Sequence, residues 1–529
     1  MTRSAHPLRV TTAQEAAARD LAAIAAGIPS FTLMLEAGTQ SAAVILRDYA
    51  DRLSRGVAVY AGAGNNGGDA WVVAAQLARS GVRVRVVADD APRTADAQRA
   101  ERIARRYESG TRLLSVEAPR GDEQFVVDGL LGTGQQGALR DGPRARAGEI
   151  ATLRARGATV CALDVPTGLD ATTGWQAEGV VVADVTTTYG TMKRGLLLAR
   201  ASAGRIVLLD IGLGEHVTLD DGAWQMASSE SLASRLPRIA WNSHKKLRGH
   251  LALIGGAEGM AGAIALATRA ALASGVGLAR AWVDAPSVQA LQQGVPQAMA
   301  RAWDIEGAAS EPWGHALAIG PGLGRDDRSE RVMRSELDRH PGIPVVLDAD
   351  ALTLVGFDGG DSAQRLREWC GDRAVVCTPH IGEFARLLDS SVADDWDVRV
   401  RKLADYATRS GAVVLLKGTP TLIASPGSAA PVVMPRGSSV LATGGSGDLL
   451  TGIIGALLAQ GVNGADAALL GATAHGLAAE RASSNAGVVR GLTLDAVLHE
   501  LPAAWRELEH PSALPPGVLA ELPALEVSR

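Results

Sequence analysis

A glycine-rich segment with several polar side chains follows the apolar run 56–61. Residues 62–67 match the pattern GxGxxG, and Asp89 and Asp90 end the next apolar run. This combination is typical of dinucleotide-binding turns, so an NAD-dependent dehydrogenase is one interpretation and a plain tight turn is another. Residues 65–69, however, carry two amides and a carboxylate. Their oxygens favour a hard cation or a polar ligand, although Asp69 could also serve only as a helix cap.

Two further acidic residues end apolar runs beside flexible loops. Asp128 is followed by GLLGTGQQGA, and Asp164 is followed by VPTGLD. Ligands of open parallel sheets bind at the carboxyl ends of the strands, so we expect both loops and residues 62–69 to converge. One acidic residue at a strand end often only caps a turn. Asp69, Asp128 and Asp164, each beside a glycine-rich loop, together indicate a binding site.

A different chemistry is indicated by TGGSGDLLTGI at residues 443–453. Glycines that open a helix leave backbone N–H groups free, and together with the helix dipole these groups bind anions. Asp448 falls in the first helical turn, where a carboxylate can accept the proton of a hydroxyl that attacks a phosphoryl group. The same residues would also suit a plain glycine turn with an acidic helix start, so the motif needs support from its surroundings.

Further strand-end segments support a phosphoryl-transfer site. Lys417 opens KGTPT and offers a cation with backbone donors, and GPGLG at 320–324 lets a ligand approach the backbone closely. Asp348 or Asp350 could hold Mg²⁺ through water, and His380 lies at another strand end. The chain has no GxxxxGK[ST] segment and no protein-kinase motif set, so those phosphotransferase classes are excluded.

Apolar runs alternate with amphipathic stretches rich in alanine and leucine in both halves of the chain. This alternation predicts an α/β fold with parallel sheets covered by helices on both faces. The predicted strands are 56–61, 82–88, 125–128, 159–164, 180–185 and 205–210, then 249–254, 278–283, 315–319, 344–348, 374–378 and 412–417. Helices are predicted at 69–79, 447–459 and 465–482. The pattern lapses between about 212 and 243, which predicts a domain boundary there.

Composition excludes several classes of partner. Of 529 residues, 52 are Lys or Arg and 57 are Asp or Glu, and this net charge of −5 argues against nucleic acid as a main partner. Three cysteines without a CxxC or Cys/His cluster indicate neither a disulfide scaffold nor a zinc site. No apolar run approaches the ~20 residues that span a bilayer, and no signal peptide is evident, so we expect no membrane association and a cytoplasmic location. The many apolar helices favour a homo-oligomer.

The motifs GNNGGD, DGLLGTG and DVPTG, in this order, resemble those of NAD(P)HX epimerase domains. The resemblance covers roughly residues 8–215 and implies a Rossmann-like three-layer fold that interconverts the R and S hydrates of NADH and NADPH. It also implies that Asp164 is the acid/base group and that Asn66, Asp128 and Thr167 hold a potassium ion. The residues implied to contact the hydrate are Asn65, Asn66, Gly67, Gly68, Asp69, Gly132, Thr133, Gly134, Gln135, Gln136, Gly137, Ala138 and Asp164.

From about residue 243 to 501 the chain resembles ADP-dependent NAD(P)H-hydrate dehydratases of the ribokinase-like superfamily. GPGLG, LDADAL, TPHIGEFARLL, LLKGTPT and TGGSGDLLTGI carry this resemblance. It implies a ribokinase-like three-layer α/β domain that uses Mg²⁺ with ADP and has Asp448 as its base. The residues implied to line the hydrate pocket are Ala263, Gly322, His380 and Asp448. The residues implied to bind the nucleotide are Lys417, Gly418, Thr419, Pro420, Thr421 and Gly447.

Together the resemblances imply a bifunctional repair enzyme that acts on NADHX, NADPHX and ADP. It would epimerise R- and S-NAD(P)HX and dehydrate the S form at the expense of ADP, giving AMP and phosphate. The implied layout is an epimerase domain (1–215), a linker (216–242), a dehydratase domain (243–507) and a tail (508–529). The alternative is a ribokinase-like kinase of a small molecule such as a vitamin precursor, joined to a non-catalytic Rossmann-like ligand-binding domain. A stable phosphorylated product would favour that alternative.

Overall fold

The computed structural model describes residues 7–110, 113–219, 222–303, 312–356 and 360–525. These residues form two compact α/β units, which confirms the predicted fold class. The N-terminal unit comprises Leu8–Trp224 and the described part of Ala513–Val527, and the C-terminal unit is built from Gln225–Ser512. Among the helices described, none is long and apolar enough to cross a membrane.

The N-terminal unit is built on a largely parallel sheet with helices packed against it. Its strands are β1 (Leu8–Thr11), β2 (Val57–Ala61), β3 (Val84–Val87), β4 (Leu114–Val116), β5 (Phe125–Gly129), β6 (Thr159–Leu163), β7 (Val185–Tyr189), β8 (Met192–Lys193) and β9 (Arg205–Leu209). Its helices are α1 (Ala13–Ala25), α2 (Ser30–Asp48), α3 (Asn65–Arg79), α4 (Ala95–Ala104), α5 (Arg106–Gly110), α6 (Asp141–Ala155), α7 (Arg194–Leu198) and α8 (Arg200–Ala203). The main sheet runs in the order β9-β7-β6-β5-β2-β3-β4. Its connections therefore reverse direction between β2 and β5, and such a switch point opens a crevice for ligands.

The predicted strand at 180–185 is wrong, because β7 begins only at Val185. The apolar residue Val181 is buried in a loop that hydrogen-bonds to Thr167, so its hydrophobicity reflects packing without strand pairing. The true strand carries Thr186, Thr187 and Thr188, which are fully buried. Thr186 satisfies its hydroxyl by donating to a backbone carbonyl at 2.6 Å, which lets polar β-branched residues occupy a central strand.

The helix predicted at 69–79 starts four residues earlier, at Asn65. Gly64 occupies the N-cap position, so Asp69 lies in the second turn and is not a cap. The side chains of the whole polar segment are therefore held on a rigid helix, and Asp69 is buried.

The C-terminal unit is built on a mixed sheet. Its strands are β10 (Trp224–Met226), β11 (His250–Ile254), β12 (Leu278–Val283), β13 (Met299–Ala302), β14 (Ala316–Ile319), β15 (Val345–Leu347), β16 (Val375–Cys377), β17 (Val413–Leu416), β18 (Thr421–Ala424) and β19 (Val432–Met434). Its helices are α9 (Ser229–Arg235), α10 (Ala261–Ala273), α11 (Ser287–Gly294), α12 (Asp327–Arg339), α13 (Asp350–Val355), α14 (Ser362–Cys370), α15 (Ile381–Leu387), α16 (Trp396–Ser410), α17 (Ser446–Ala459), α18 (Gly464–Ala486) and α19 (Leu494–Glu509). Strands β11 to β17 form only parallel pairs with one another, whereas β18 pairs antiparallel with both β17 and β19.

A close helix–helix contact fixes the position of α17 in this unit. A Cβ atom at Gly452 would lie 2.0 Å from the carbonyl oxygen of Ala267 on α10, so only glycine permits this approach. The apolar faces of α10, α17, α18 and α19 share one core with the sheet. The start of α17, which carries Asp448, is therefore anchored by packing along the rest of the helix.

The chain returns to the N-terminal unit after α19. Strand β20 (Val518–Leu522) pairs antiparallel with β9, and Glu521 forms an ion pair with Arg205 at 2.8 Å. The segment expected to be a tail thus contributes a strand, and the segment expected to be a linker contains β10 and α9. Residues 1–6 of the first predicted domain, 220–221 of the linker and 526–529 of the tail lie outside the described residues.

Candidate active sites

A cavity of about 1290 Å³ lies at the switch point of the N-terminal sheet. The loops after β2, β5 and β6 all contribute to its wall, as does α1. The predicted residues that line it are Asn65, Asn66, Asp69, Gly132, Thr133, Gly134, Gln135, Gln136, Ala138 and Asp164. The cavity is therefore lined by amides and carboxylates and by glycine-containing loops.

Other predicted residues lie outside the cavity wall, namely Gly67, Gly68, Gly137, Asp128 and Thr167. Gly67 has a packing role. A Cβ atom there would lie 1.7 Å from the carbonyl oxygen of Gly62. Glycine at this position lets the first turn of α3 press against the end of β2, which brings the polar side chains of α3 to the cavity.

Asp128 and Thr167 form a buried hydrogen-bonded pair beside the cavity. The Thr167 hydroxyl and backbone N–H donate to the Asp128 carboxylate at 2.7 and 2.8 Å. Burial raises the pKa of Asp128 to about 6, although these hydrogen bonds oppose the shift. Asn66 donates from Nδ2 to the carbonyl of Leu131 at 2.8 Å, but its buried Oδ1 has no hydrogen-bond partner among the described residues. An unpartnered buried oxygen beside a carboxylate is the kind of site that a cation satisfies.

Sequence reasoning missed a lysine that contacts the candidate acid/base residue. Lys193, at the end of β8, lies 2.7 Å from Oδ1 of Asp164 and donates to the carbonyl oxygen of Tyr189 at 2.7 Å. Asp164 itself adopts a left-handed backbone conformation with φ of 64°. Such a conformation is costly for a residue other than glycine, and it turns the Asp164 side chain into the cavity wall. The signal that could have identified Lys193 was its position just after a buried strand, which the misplaced strand at 180–185 concealed.

Two more carboxyl groups face the same cavity. Burial raises the pKa of Asp69 well above its ordinary value, and the charges of Asp164 and Asp20 act in the same direction. Burial also raises the pKa of Asp20, which lies on α1 and was not predicted. Lys193 opposes both shifts. The cavity therefore holds a carboxylate paired with a lysine and two carboxyl groups that bind a proton more readily than usual.

In the C-terminal unit a buried ion pair connects the ends of β15 and β17. Lys417 Nζ lies 2.8 Å from Oδ1 of Asp348 and 3.7 Å from Oε2 of Glu383. Thr451 of α17 donates to the other Asp348 oxygen at 2.7 Å. Burial alone would raise the pKa of Asp348, but the charge and hydrogen bond of Lys417 lower it below the ordinary range. Glu383 and Thr451 lie within quoted motifs, yet only the structure places them on this pair.

Asp448 lies beside this pair at the start of α17. Gly445 precedes the helix in a left-handed conformation, with φ of 95°, and no side chain caps the helix N-terminus. Gly447 leaves room for the pair, since a Cβ atom there would lie 3.2 Å from Lys417 Nζ. Burial and then the charge of Asp348 raise the pKa of Asp448 to about 7, although Lys417 opposes the shift. A carboxylate of that pKa beside free N–H groups suits general-base catalysis near neutral pH.

The remaining predicted residues of the second site lie in three places. Gly322 and Ala263 are neighbours, since a Cβ atom at Gly322 would lie 3.3 Å from Cβ of Ala263. His380 caps α15 through Nδ1, which accepts from two backbone N–H groups, and its side chain is 54% exposed. Residues 418–420 form the turn between β17 and β18, and Thr421 opens β18.

Neither aspartate considered for Mg²⁺ has a free carboxylate. Both oxygens of Asp348 are bonded, one to Lys417 and the other to Thr451. Those of Asp350 accept from the Gly324 N–H at 3.0 Å and from Arg325 at 2.6 Å. These contacts fit an ion that arrives with phosphate oxygens and water, and they do not form a protein cage.

Both halves of the chain are similar to known proteins. A family model described as NAD(P)H-hydrate dehydratase matches residues 251–503, and one described as YjeF-related protein N-terminus matches residues 30–195. The bifunctional NAD(P)H-hydrate repair enzyme Nnr of Moorella thermoacetica is 34% identical over 91% of this chain and 93% of its own. The enzyme of the same name from Escherichia coli is 33% identical over 88% of each chain.

A solved structure also aligns with part of the chain. It is the ADP/ATP-dependent NAD(P)H-hydrate dehydratase of Bacillus subtilis, co-crystallised with ATP and Mg²⁺, and it is 28% identical. The alignment covers 53% of this chain and 98% of that one, with a TM-score of 0.47. The two candidate sites, together with relatives that match most of the chain, define an enzyme with two domains. The chain belongs to the family of bifunctional NAD(P)H-hydrate repair enzymes.

Proposed function

We propose that the N-terminal unit epimerises R- and S-NAD(P)HX and that the C-terminal unit dehydrates the S form at the expense of ADP. The observation that carries the dehydratase assignment is the start of α17. There an uncapped helix N-terminus, Lys417 and Asp448 with a pKa raised to about 7 lie together. This combination can both stabilise a phosphoryl group and activate a hydroxyl.

In the proposed dehydration, Asp448 accepts the proton of the hydroxyl on the hydrated nicotinamide ring as that oxygen attacks the terminal phosphate of ADP, whose bond to the departing AMP breaks. The N–H groups at the start of α17 would hold the transferred phosphoryl group, and Lys417 would offset its charge. Loss of phosphate and of a ring proton then restores the double bond, because phosphate leaves far more readily than hydroxide. Magnesium bound to the nucleotide would neutralise phosphate charge.

In the proposed epimerisation, Asp164 exchanges a proton with the hydrate inside the N-terminal cavity. Asn66, Asp128 and Thr167 fit a potassium ion, because the buried Asn66 Oδ1 has no partner among the described residues. Asn66 and Thr167 both hydrogen-bond to the backbone of Leu131, and Thr167 also hydrogen-bonds to Asp128. The ion would supply a fixed positive charge beside the cavity. The predicted substrate and nucleotide contacts, and the two domain boundaries, are part of the same proposal.

The proposal extends to a cytoplasmic homo-oligomer. Exposed apolar side chains such as Trp241 and Leu247 are compatible with subunit contacts. Light scattering of the purified chain would give the subunit number, and a monomer at all concentrations would contradict the oligomer.

The experiment that tests the function uses a mixture of R- and S-NADHX with Mg²⁺, potassium and either ADP or ATP. We expect complete return of reduced-nicotinamide absorbance with ADP, and slow recovery of the R fraction when potassium is replaced by a larger organic cation. Recovery limited to the S fraction in all ions, after correction for spontaneous epimerisation, would contradict the epimerase assignment. A stable phosphorylated product would instead support the small-molecule kinase.

A further inference from the structure

The N-terminal cavity separates its carboxyl groups into two kinds. Asp164 is bonded to Lys193, whose side chain is only 4% exposed. Asp69, on α3, faces the same cavity but forms no ion pair with any residue that the structure describes. Two carboxyl groups in one cavity that differ in this way can act as an acid and a base.

Lys193 is held in place on the side of Asp164. Its ammonium has three donors, and two of them are used by Asp164 Oδ1 and by the carbonyl oxygen of Tyr189, each at 2.7 Å. Thr188 also donates to Asp164 at 3.3 Å. A charge-assisted hydrogen bond to a buried ammonium stabilises the ionised carboxylate. The Asp164 carboxylate is therefore held in one position while it faces the cavity.

Asp69 has the opposite surroundings. It is buried within α3, and the charged groups that act on it include the carboxyl groups of Asp164 and Asp20. Burial without an ion-pair partner and repulsion between like charges both disfavour the ionised form. Asp69 is thus suited to act as a proton donor.

We propose that Asp69 and Asp164 form the acid–base pair of the epimerase site, with Lys193 as the positioning residue that holds the Asp164 carboxylate in place. This inference rests on the proposed epimerase function and goes beyond it by assigning the proton donor. The substrate is the hydrated nicotinamide, in which a hydroxyl is attached to the carbon next to the ring nitrogen.

The proposed steps require no redox partner. The Asp69 carboxyl gives its proton to the hydroxyl, the carbon–oxygen bond breaks, and water leaves while the nitrogen lone pair forms a carbon–nitrogen double bond. Water then adds to the opposite face of that carbon and gives a proton to the Asp164 carboxylate. The nitrogen recovers its lone pair, and proton exchange with solvent resets the two carboxyl groups. The product differs from the substrate only in the configuration of one carbon.

Other titratable and charged groups also face this pair. They are Asp20 of α1, Lys193 of β8 and Tyr189 of β7, and Lys193 acts on both Asp20 and Asp69. We expect the pH profile of kcat for epimerisation to have an alkaline limb, in which the rate falls as Asp69 loses its proton.

The test measures epimerisation of R-NADHX against pH in Asp69→Asn, Lys193→Met and Lys193→Arg variants of the full chain. We expect Asp69→Asn to lower kcat about 100-fold, with little change in KM, and to remove the alkaline limb. We expect Lys193→Met to lower kcat about tenfold and Lys193→Arg to restore most of it, because a charged donor is what holds the Asp164 carboxylate in place. Thermal unfolding of each variant, followed by circular dichroism, reports whether the N-terminal unit is folded.

Three outcomes would overturn the assignment. An alkaline limb that persists in Asp69→Asn would show that another group donates the proton. Loss of that limb in Lys193→Met alone would assign the donor to Lys193. An equal loss of kcat in Lys193→Met and Lys193→Arg would reduce Lys193 to a structural role. Absence of epimerisation in the unaltered protein would instead contradict the proposed function itself, so the two failures are distinct.

Discussion

Both units place a lysine against an aspartate near a strand end, yet the two pairs serve different chemistry. In the N-terminal unit Lys193 contacts Asp164, the proposed acid/base residue, at 2.7 Å. In the C-terminal unit Lys417 contacts Asp348 at 2.8 Å, while the proposed base Asp448 lies next to the pair. The pairing thus involves the catalytic group itself in the N-terminal unit and a neighbour of the catalytic group in the C-terminal unit.

This difference shows that an aspartate's partners, more than its position in a motif, set its chemistry. Asp348 has a lysine and a hydroxyl as partners, and its pKa is lowered. Asp448, whose carboxyl is not in a salt bridge among the described residues, has a pKa of about 7. A base for a hydroxyl works best when its pKa is near the working pH, as that of Asp448 is, whereas Asp348 holds Lys417 in place.

The largest expected effect separates the two sites. Asp448→Asn should lower dehydration of S-NADHX about 1000-fold and leave epimerisation intact, because it removes only the base beside α17. Asp164→Asn should do the reverse. Coupled absorbance assays on pure R and S hydrates measure each step in both variants. Loss of both activities in either variant would contradict the separation of the sites.

The next effect tests the Lys417–Asp348 pair. Lys417→Met leaves the buried carboxylate of Asp348 without its counter-ion, so the free energy of unfolding of the C-terminal unit should fall by about 3 kcal/mol. Denaturant unfolding measures this change. The double variant Lys417→Met, Asp348→Asn should recover part of the loss, since no charge is then left unpaired. Equal stability of the single and double variants would argue against this origin.

A smaller effect distinguishes glycines needed for packing from those beside the ligand. Gly67→Ala places a Cβ atom 1.7 Å from a backbone oxygen, so the N-terminal unit should lose about 2 kcal/mol of stability. Gly64→Ala is the matched control, because a Cβ atom there meets nothing within 4 Å. Thermal unfolding of the two variants makes the comparison, and similar losses in both would contradict the packing role of Gly67.

The smallest expected effect concerns pH. Asp448 must be ionised to accept a proton, and its pKa is raised to about 7, so the rate constant kcat/KM for dehydration should increase with pH through that value. The increase between about pH 6 and 8 should be about tenfold. A steady-state profile with saturating nucleotide and Mg²⁺ measures it. A flat profile over this range would mean that Asp448 is not the titrating base.

Sequence reasoning reached most of the fold and many of the candidate site residues because strand ends and glycine turns leave local signals. The runs that became β2, β5 and β6 were evident from their apolar residues, and so were Asp128 and Asp164 near their ends. The run that became β7 was misplaced, since three buried threonines read as polar. The error hid Lys193, whose role depends on a contact with a residue far from it in the sequence.

What the sequence determined by itself was the α/β class, the division into two halves and the motifs that carry the family membership, because these depend on local periodicity and on short segments. The tertiary structure decided how the aspartates are paired. It brought Lys193 to Asp164 and Lys417 to Asp348, and it left the buried Asp69 and the half-buried Asp448 without salt bridges among the described residues. Ionisation depends on burial and on charges within a few ångströms, and only the folded chain brings such distant residues together.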